Sequence, residues 1–132
     1  MGERLAARGM IADIILSSPA KRARKTAIRL CKGMKTSRSL IQVNDAIYDA
    51  NMQDLFSLIS QVDDRYYRLM LIGHNPECTL LVNHLAQVEI YNVPTCGIAG
   101  FSLAVNSWQD VQQAQADLLF FDYPKKQYSD HI

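Results

Sequence analysis

The chain predicts an α/β fold, a mostly parallel sheet with helices on both faces, and three observations predict it. Short apolar runs alternate with helix-spaced segments through the first two-thirds of the sequence. Two strand-to-helix junctions share one grammar, Ile14-Ile15-Leu16-Ser17-Ser18-Pro19-Ala20-Lys21-Arg22-Ala23 and Leu69-Met70-Leu71-Ile72-Gly73-His74-Asn75-Pro76-Glu77. The last third instead offers two longer strand-like runs joined by a polar segment, the signature of a hairpin at the sheet edge.

Met1 to Arg8 sets Leu5 and Ala6 among charges at helical spacing, and Gly9 is placed to stop that helix in a left-handed cap. Ile11 to Leu16 is short and isoleucine-rich, so it reads as a buried parallel strand, and a helix follows from Pro19 to about Lys32, broken by Gly33. Ser18 serves as its expected N-cap, with proline at the first helical position, where a missing N–H costs nothing. Met34 to Ser39 reads as loop, Leu40 to Val43 as a short strand, and Asn44-Asp45 as a turn. Leu55, Phe56, Leu58, Ile59 and Val62 recur at helix spacing within Met52 to Val62, with Asn51 as the cap. Arg68 to Ile72 is the next strand; Pro76 to Ala86 is the helix after it, capped in expectation by Asn75. Pro94-Thr95-Cys96-Gly97 is a turn, and Ile98 to Val105 and Asp117 to Tyr123 are the two strands of the hairpin, linked through Trp108 and a run of glutamines.

At 132 residues, 48% apolar and 20% charged, the sequence predicts one domain spanning 1–132 with its own core. A formal net charge of +1 gives the molecule no global field to draw nucleic acid or a membrane surface. Three cysteines without a Cys-x-x-Cys pair fit a reducing compartment, so a cytoplasmic location is expected. No apolar stretch approaches a bilayer span, and the polar opening Met1-Gly2-Glu3-Arg4-Leu5 is no signal peptide.

Both junctions put a helix N-terminus just past the carboxyl end of a strand, where unpaired N–H groups and the positive end of the helix dipole favour an anion. Arg22 in the first turn of one helix and His74 at the tip of the other strand can point at the same bound group. Guanidinium grips a phosphate in two places; imidazole can hydrogen-bond a phosphoryl oxygen or move a proton. Lys21, Arg24 and Lys25 read as surface charge beside Arg22. His84 and His131 give no metal spacing, so no metal and no cofactor are expected. The common phosphate-loop, nucleophile-elbow and dinucleotide motifs are all absent from the sequence.

Taken together, Ser17-Ser18-Pro19-Ala20-Lys21-Arg22-Ala23-Arg24-Lys25-Thr26-Ala27 and Ile72-Gly73-His74-Asn75-Pro76-Glu77 resemble the histidine phosphatase superfamily. The resemblance is closer to its small bacterial branch, the SixA-type phosphohistidine phosphatases, with support from Pro94-Thr95-Cys96-Gly97-Ile98-Ala99, Trp108 and Pro124-Lys125. It implies a hydrolase that passes a phosphoryl group from phosphohistidine in a protein to an enzyme histidine and then to water without a metal. Arg22 would be the second phosphate-binding arginine and His74 the second active-site histidine, with Ser18, Asn75 and Thr95 as substrate-binding residues.

The nucleophile of that superfamily belongs to an Arg-His-Gly motif at the end of a first strand, and the sequence contains no such motif. The resemblance therefore implies that the first strand and the start of the first helix are absent. A start placed at an internal methionine is favoured over a shortened paralogue. The 132-residue chain is accordingly predicted to be inactive as a phosphatase. Two alternatives from other classes stand beside this reading: a non-catalytic module binding phosphate or a phosphoprotein, and an interaction subunit that pairs through exposed sheet edges.

Overall fold

The computed structural model describes residues 1–94 and 97–124, and these gather into two compact units, each discontinuous in sequence. The first comprises Met1–Ala50 and Asp63–His74; the second comprises Asn51–Val62 and the described residues from Asn75 to Pro124.

A three-stranded parallel sheet organises the first unit. Strand β1 (Ile14–Ser17) lies between β2 (Ile41–Val43) and β3 (Leu69–Ile72), with Ser17 in register with both Val43 and Ile72. All four residues of β1 are buried, and Ile15 and Ser17 have no exposed surface at all. Successive side chains point to opposite faces, so uninterrupted burial means that both faces of β1 are covered, which is why the sequence runs apolar instead of alternating. Pairing with β3 starts one residue ahead of the strand. The Asp13 N–H donates to the Arg68 carbonyl at 2.8 Å, and its carboxylate accepts from the N–H groups of Tyr67 and Arg68 at 3.0 and 2.8 Å.

Helix α1 (Gly2–Ala7) ends as expected, with Gly9 at φ 72°. Helix α2 (Lys21–Met34) buries Ala23, Ala27, Leu30, Cys31 and Met34, a stripe at helical spacing. It departs from expectation at both ends. Its N-cap is Ala20, not Ser18, and Pro19 precedes the helix instead of opening it. Nor does Gly33 break it: the helix passes through Gly33 and stops at Lys35, which takes the left-handed cap at φ 58°. The reason lies in packing. A Cβ on Gly33 would stand 2.8 Å from both the Gly2 Cα and the Glu3 nitrogen, so the glycine lets two helix backbones touch.

In the second unit, α3 (Met52–Ser60) opens on the predicted Asn51. The Asn51 side chain accepts from the Asp54 N–H at 2.8 Å and the Asp54 carboxylate accepts from the Asn51 N–H at 3.1 Å, a complete capping box. Leu55, Phe56 and Ile59 of α3, Leu81 and Val82 of α4 (Glu77–Ala86), Val111 and Phe120 are its buried apolar residues. The predicted hairpin strands pair as β4 (Ile98–Leu103) against β5 (Ala116–Asp122), antiparallel, with an irregularity between Gly100 and Phe101, but they form a two-stranded sheet of their own and not the edge of the parallel sheet. Gly100 faces Phe120, whose ring occupies the space a Cβ would need. The connecting segment forms a 3₁₀ turn, Trp108–Gln113, tied to α3 by reciprocal amide bonds between Gln53 and Gln112 at 3.0 and 2.9 Å.

Gly33→Ala is expected to destabilise the protein by about 1–3 kcal/mol, because the overpacking of backbone on backbone outweighs the better helix propensity of alanine. Urea denaturation of the variant beside the unmutated protein measures it, and equal or greater stability of the variant would contradict the packing account.

Candidate functional site

The carboxyl end of the parallel sheet carries Ser17, Ser18 and His74. β1 and β3 run in register to Ser17 and Ile72, and the next N–H, that of Ser18, donates to the Ile72 carbonyl at 3.0 Å. This pairing delivers Ser18 and His74 to one corner. The Ser18 hydroxyl and His74 Nε2 lie 2.7 Å apart. Ser18 is wholly buried and His74 half-buried.

Ser18 does not cap α2. Its Oγ accepts instead from the Ala20 N–H at 3.2 Å, a turn that closes one residue short of the helix. The Ser17 hydroxyl donates to the Ser18 carbonyl at 2.9 Å, which fixes the peptide between the strand and that turn.

Helix α2 begins beyond this corner with its first Arg24 N–H to Ala20 carbonyl bond at 3.0 Å, so the N–H groups of Lys21, Arg22 and Ala23 precede the intrahelical ladder. No acidic residue occupies the first turn. Lys21, Arg22, Arg24 and Lys25 stand there, all exposed, although cations at a helix N-terminus oppose the dipole. The Arg22 guanidinium makes no hydrogen bond or ion pair among the described residues. An anion at this corner would relieve the opposition and meet a guanidinium free to grip it.

Tyr48 was not signalled by the sequence. It follows the short turn Asp45–Ile47 that leaves β2, and its ring meets the His74 imidazole edge to face at 5.6 Å between centroids and 73° between planes. A single tyrosine beyond a three-residue turn carries no motif, and only the sheet order β2-β1-β3 reveals that this turn and the β3 tip open at the same end.

Asn75 belongs to the second unit, and Pro76, not Asn75, is the N-cap of α4; the Asn75–Pro76 peptide is cis. The Asn75 amide donates to the Val93 carbonyl at 2.8 Å and to Asn92 at 3.2 Å, and its carbonyl accepts from the Thr79 hydroxyl at 2.8 Å. That side chain is engaged in holding the 92–93 segment, which explains why it is unavailable as a cap. Asn83 pins Ile90 in the same way through two bonds of 2.9 Å. Thr95 lies outside the described residues, as do Lys125 and His131. His84, exposed on α4, packs edge-on against Phe56 at 5.4 Å. Among the described residues no group of three His, Cys, Asp or Glu side chains is arranged to hold a metal ion, and no helix is long and apolar enough to cross a membrane.

These elements define an α/β protein built on a parallel sheet. No family profile matches the sequence, and no curated protein does. Among solved structures, the chain is similar to a "putative phosphohistidine phosphatase SixA" from Nakamurella multipartitia. The TM-score is 0.73 at 17% identity, over 95% of this chain and 80% of the other. It is also similar to a protein of the same description from Agrobacterium tumefaciens, with a TM-score of 0.75 at 24% identity over 93% of this chain and 75% of the other. Similarity at these identities establishes the fold.

Thr79 is buried and its hydroxyl serves Asn75 and the Val93 N–H together, the latter at 3.0 Å. Thr79→Val should therefore lower stability by about 1–3 kcal/mol, by stranding a donor and an acceptor, whereas Thr79→Ser should retain most of it. Equal denaturation midpoints for the two variants would show that the bonds contribute nothing.

Proposed function

We propose that this chain is a phosphohistidine phosphatase-like protein that holds the phosphoryl group of a phosphohistidine-bearing protein at the carboxyl end of its parallel sheet. Arg22 and the first-turn N–H groups of α2 grip the phosphoryl oxygens, and His74 hydrogen-bonds one of them. The observation that carries this reading is the 2.7 Å contact between Ser18 and His74, which fixes an imidazole at the corner where α2 begins. The similarity in fold to the two SixA structures supports the choice of phosphohistidine over other phosphoesters. A phosphoramidate also leaves more readily than an alkoxide, so such a site needs no strong general acid.

Phosphoryl transfer through a histidine needs a nucleophilic imidazole beside the second one. The sequence offers only His74, His84 and His131, and none belongs to an Arg-His-Gly motif. We therefore propose that the 132-residue polypeptide binds phosphate without forming a phosphoenzyme, which makes the non-catalytic phosphate or phosphoprotein-binding module the second form of the same reading. Localisation in the cytoplasm is part of this proposal.

Calorimetric titration with inorganic phosphate is expected to show binding to the unmutated protein. The affinity should fall about 10- to 100-fold in Arg22→Ala, the loss of charge-assisted bonds worth about 1.5–3 kcal/mol. No heat of binding in the unmutated protein would refute the site. In a separate assay, the purified chain should release no phosphate from a phosphohistidine protein; sustained turnover would refute the proposed lack of phosphoenzyme chemistry.

A further inference from the structure

We infer that Ser18 sets the tautomer of His74, keeping the neutral imidazole protonated on Nδ1 and so making Nδ1–H the group the ring presents as donor. Every polar atom around the contact points to one arrangement. Ser18 Oγ already accepts from the Ala20 N–H at 3.2 Å, and the Ser17 hydroxyl turns away to the Ser18 carbonyl at 2.9 Å. The Ser18 O–H is wholly buried and needs an acceptor. Among the described residues that acceptor is His74 Nε2, 2.7 Å away.

If Nε2 carried the proton instead, both hydrogens would compete for one contact and the buried hydroxyl would be left without an acceptor. With Nε2 accepting, the neutral ring holds its proton on Nδ1. Tyr48, edge-on to the ring at 5.6 Å, bounds a second side of the imidazole. Ser18 is thus a positioning residue that acts through His74. The delivery of Nδ1–H to a phosphoryl oxygen rests on the proposed function above, whereas the tautomer itself does not.

Long-range ¹H–¹⁵N correlation spectra of the full chain decide the matter, recorded about two pH units above the ordinary imidazole value of about 6.5. His74 should show an unprotonated Nε2 and a protonated Nδ1. Ser18→Ala should move it toward the Nε2–H form that free imidazole prefers, while Tyr48→Leu leaves it unchanged. An Nε2–H signal in the unmutated protein, or the same Nδ1–H tautomer in Ser18→Ala, overturns the inference. Should Ser18→Ala fail to fold, the unmutated spectrum and Ser18→Cys, a weaker donor of similar shape, carry the same test: Ser18→Cys must lose part of the Nδ1–H preference. Saturating inorganic phosphate separates the two readings. A shift at Nδ1 supports both, and an Nδ1–H ring that ignores phosphate keeps the tautomer and removes the phosphate site.

Discussion

The parallel pairing of β1 with β3 is the constraint on which the site depends. Ser17 opposite Ile72, followed by the Ser18 N–H to Ile72 carbonyl bond, brings the end of one strand level with the end of the other. A slip of one residue would displace one strand end along the other by about 3.3 Å and part Ser18 from His74. Burial holds the register. β1 is covered on both faces, so any slip would move apolar residues out of a packed core, and Asp13 locks the other end of the pair through two backbone N–H groups.

A second tension sits at the start of α2. Four cations occupy the first five positions of the helix, where the dipole disfavours them and where no acidic residue offsets the field. Local conflicts of this kind are expected where a fold gives up some stability for a site. The structure adds that Ser18 is withdrawn from capping and engaged with the imidazole, which leaves the first-turn N–H groups without help from the residue best suited to give it. Both features meet at one corner, where the proposed anion would offset them.

Much of this was legible in the residues. The apolar runs at Ile14 and Leu69 and the helix-spaced Leu55, Phe56 and Ile59 of α3 are local signals, and Asn51 reads as the cap of α3; the strands, that helix and that cap are all present. What misled were residues whose local preference is overruled by a distant partner. Ser18 and Asn75 are good caps in isolation, but one is claimed by His74 across 56 positions and the other by Val93. Gly33 is a helix breaker by propensity, yet the approach of Gly2, far away in the chain, makes it a contact. Tyr48 has no local signal of any kind; its role comes from strand order alone.

The most direct measurement is a titration of the uniformly ¹⁵N-labelled protein with inorganic phosphate, followed at the Arg22 side-chain Nε–H, the His74 ring and the backbone N–H groups of Lys21, Arg22 and Ala23. The account predicts that all of these move together along one saturation curve, because they surround one anion. Shifts confined to the other cationic side chains, or an Arg22 and His74 that respond with different affinities, would show that guanidinium and imidazole do not share a ligand.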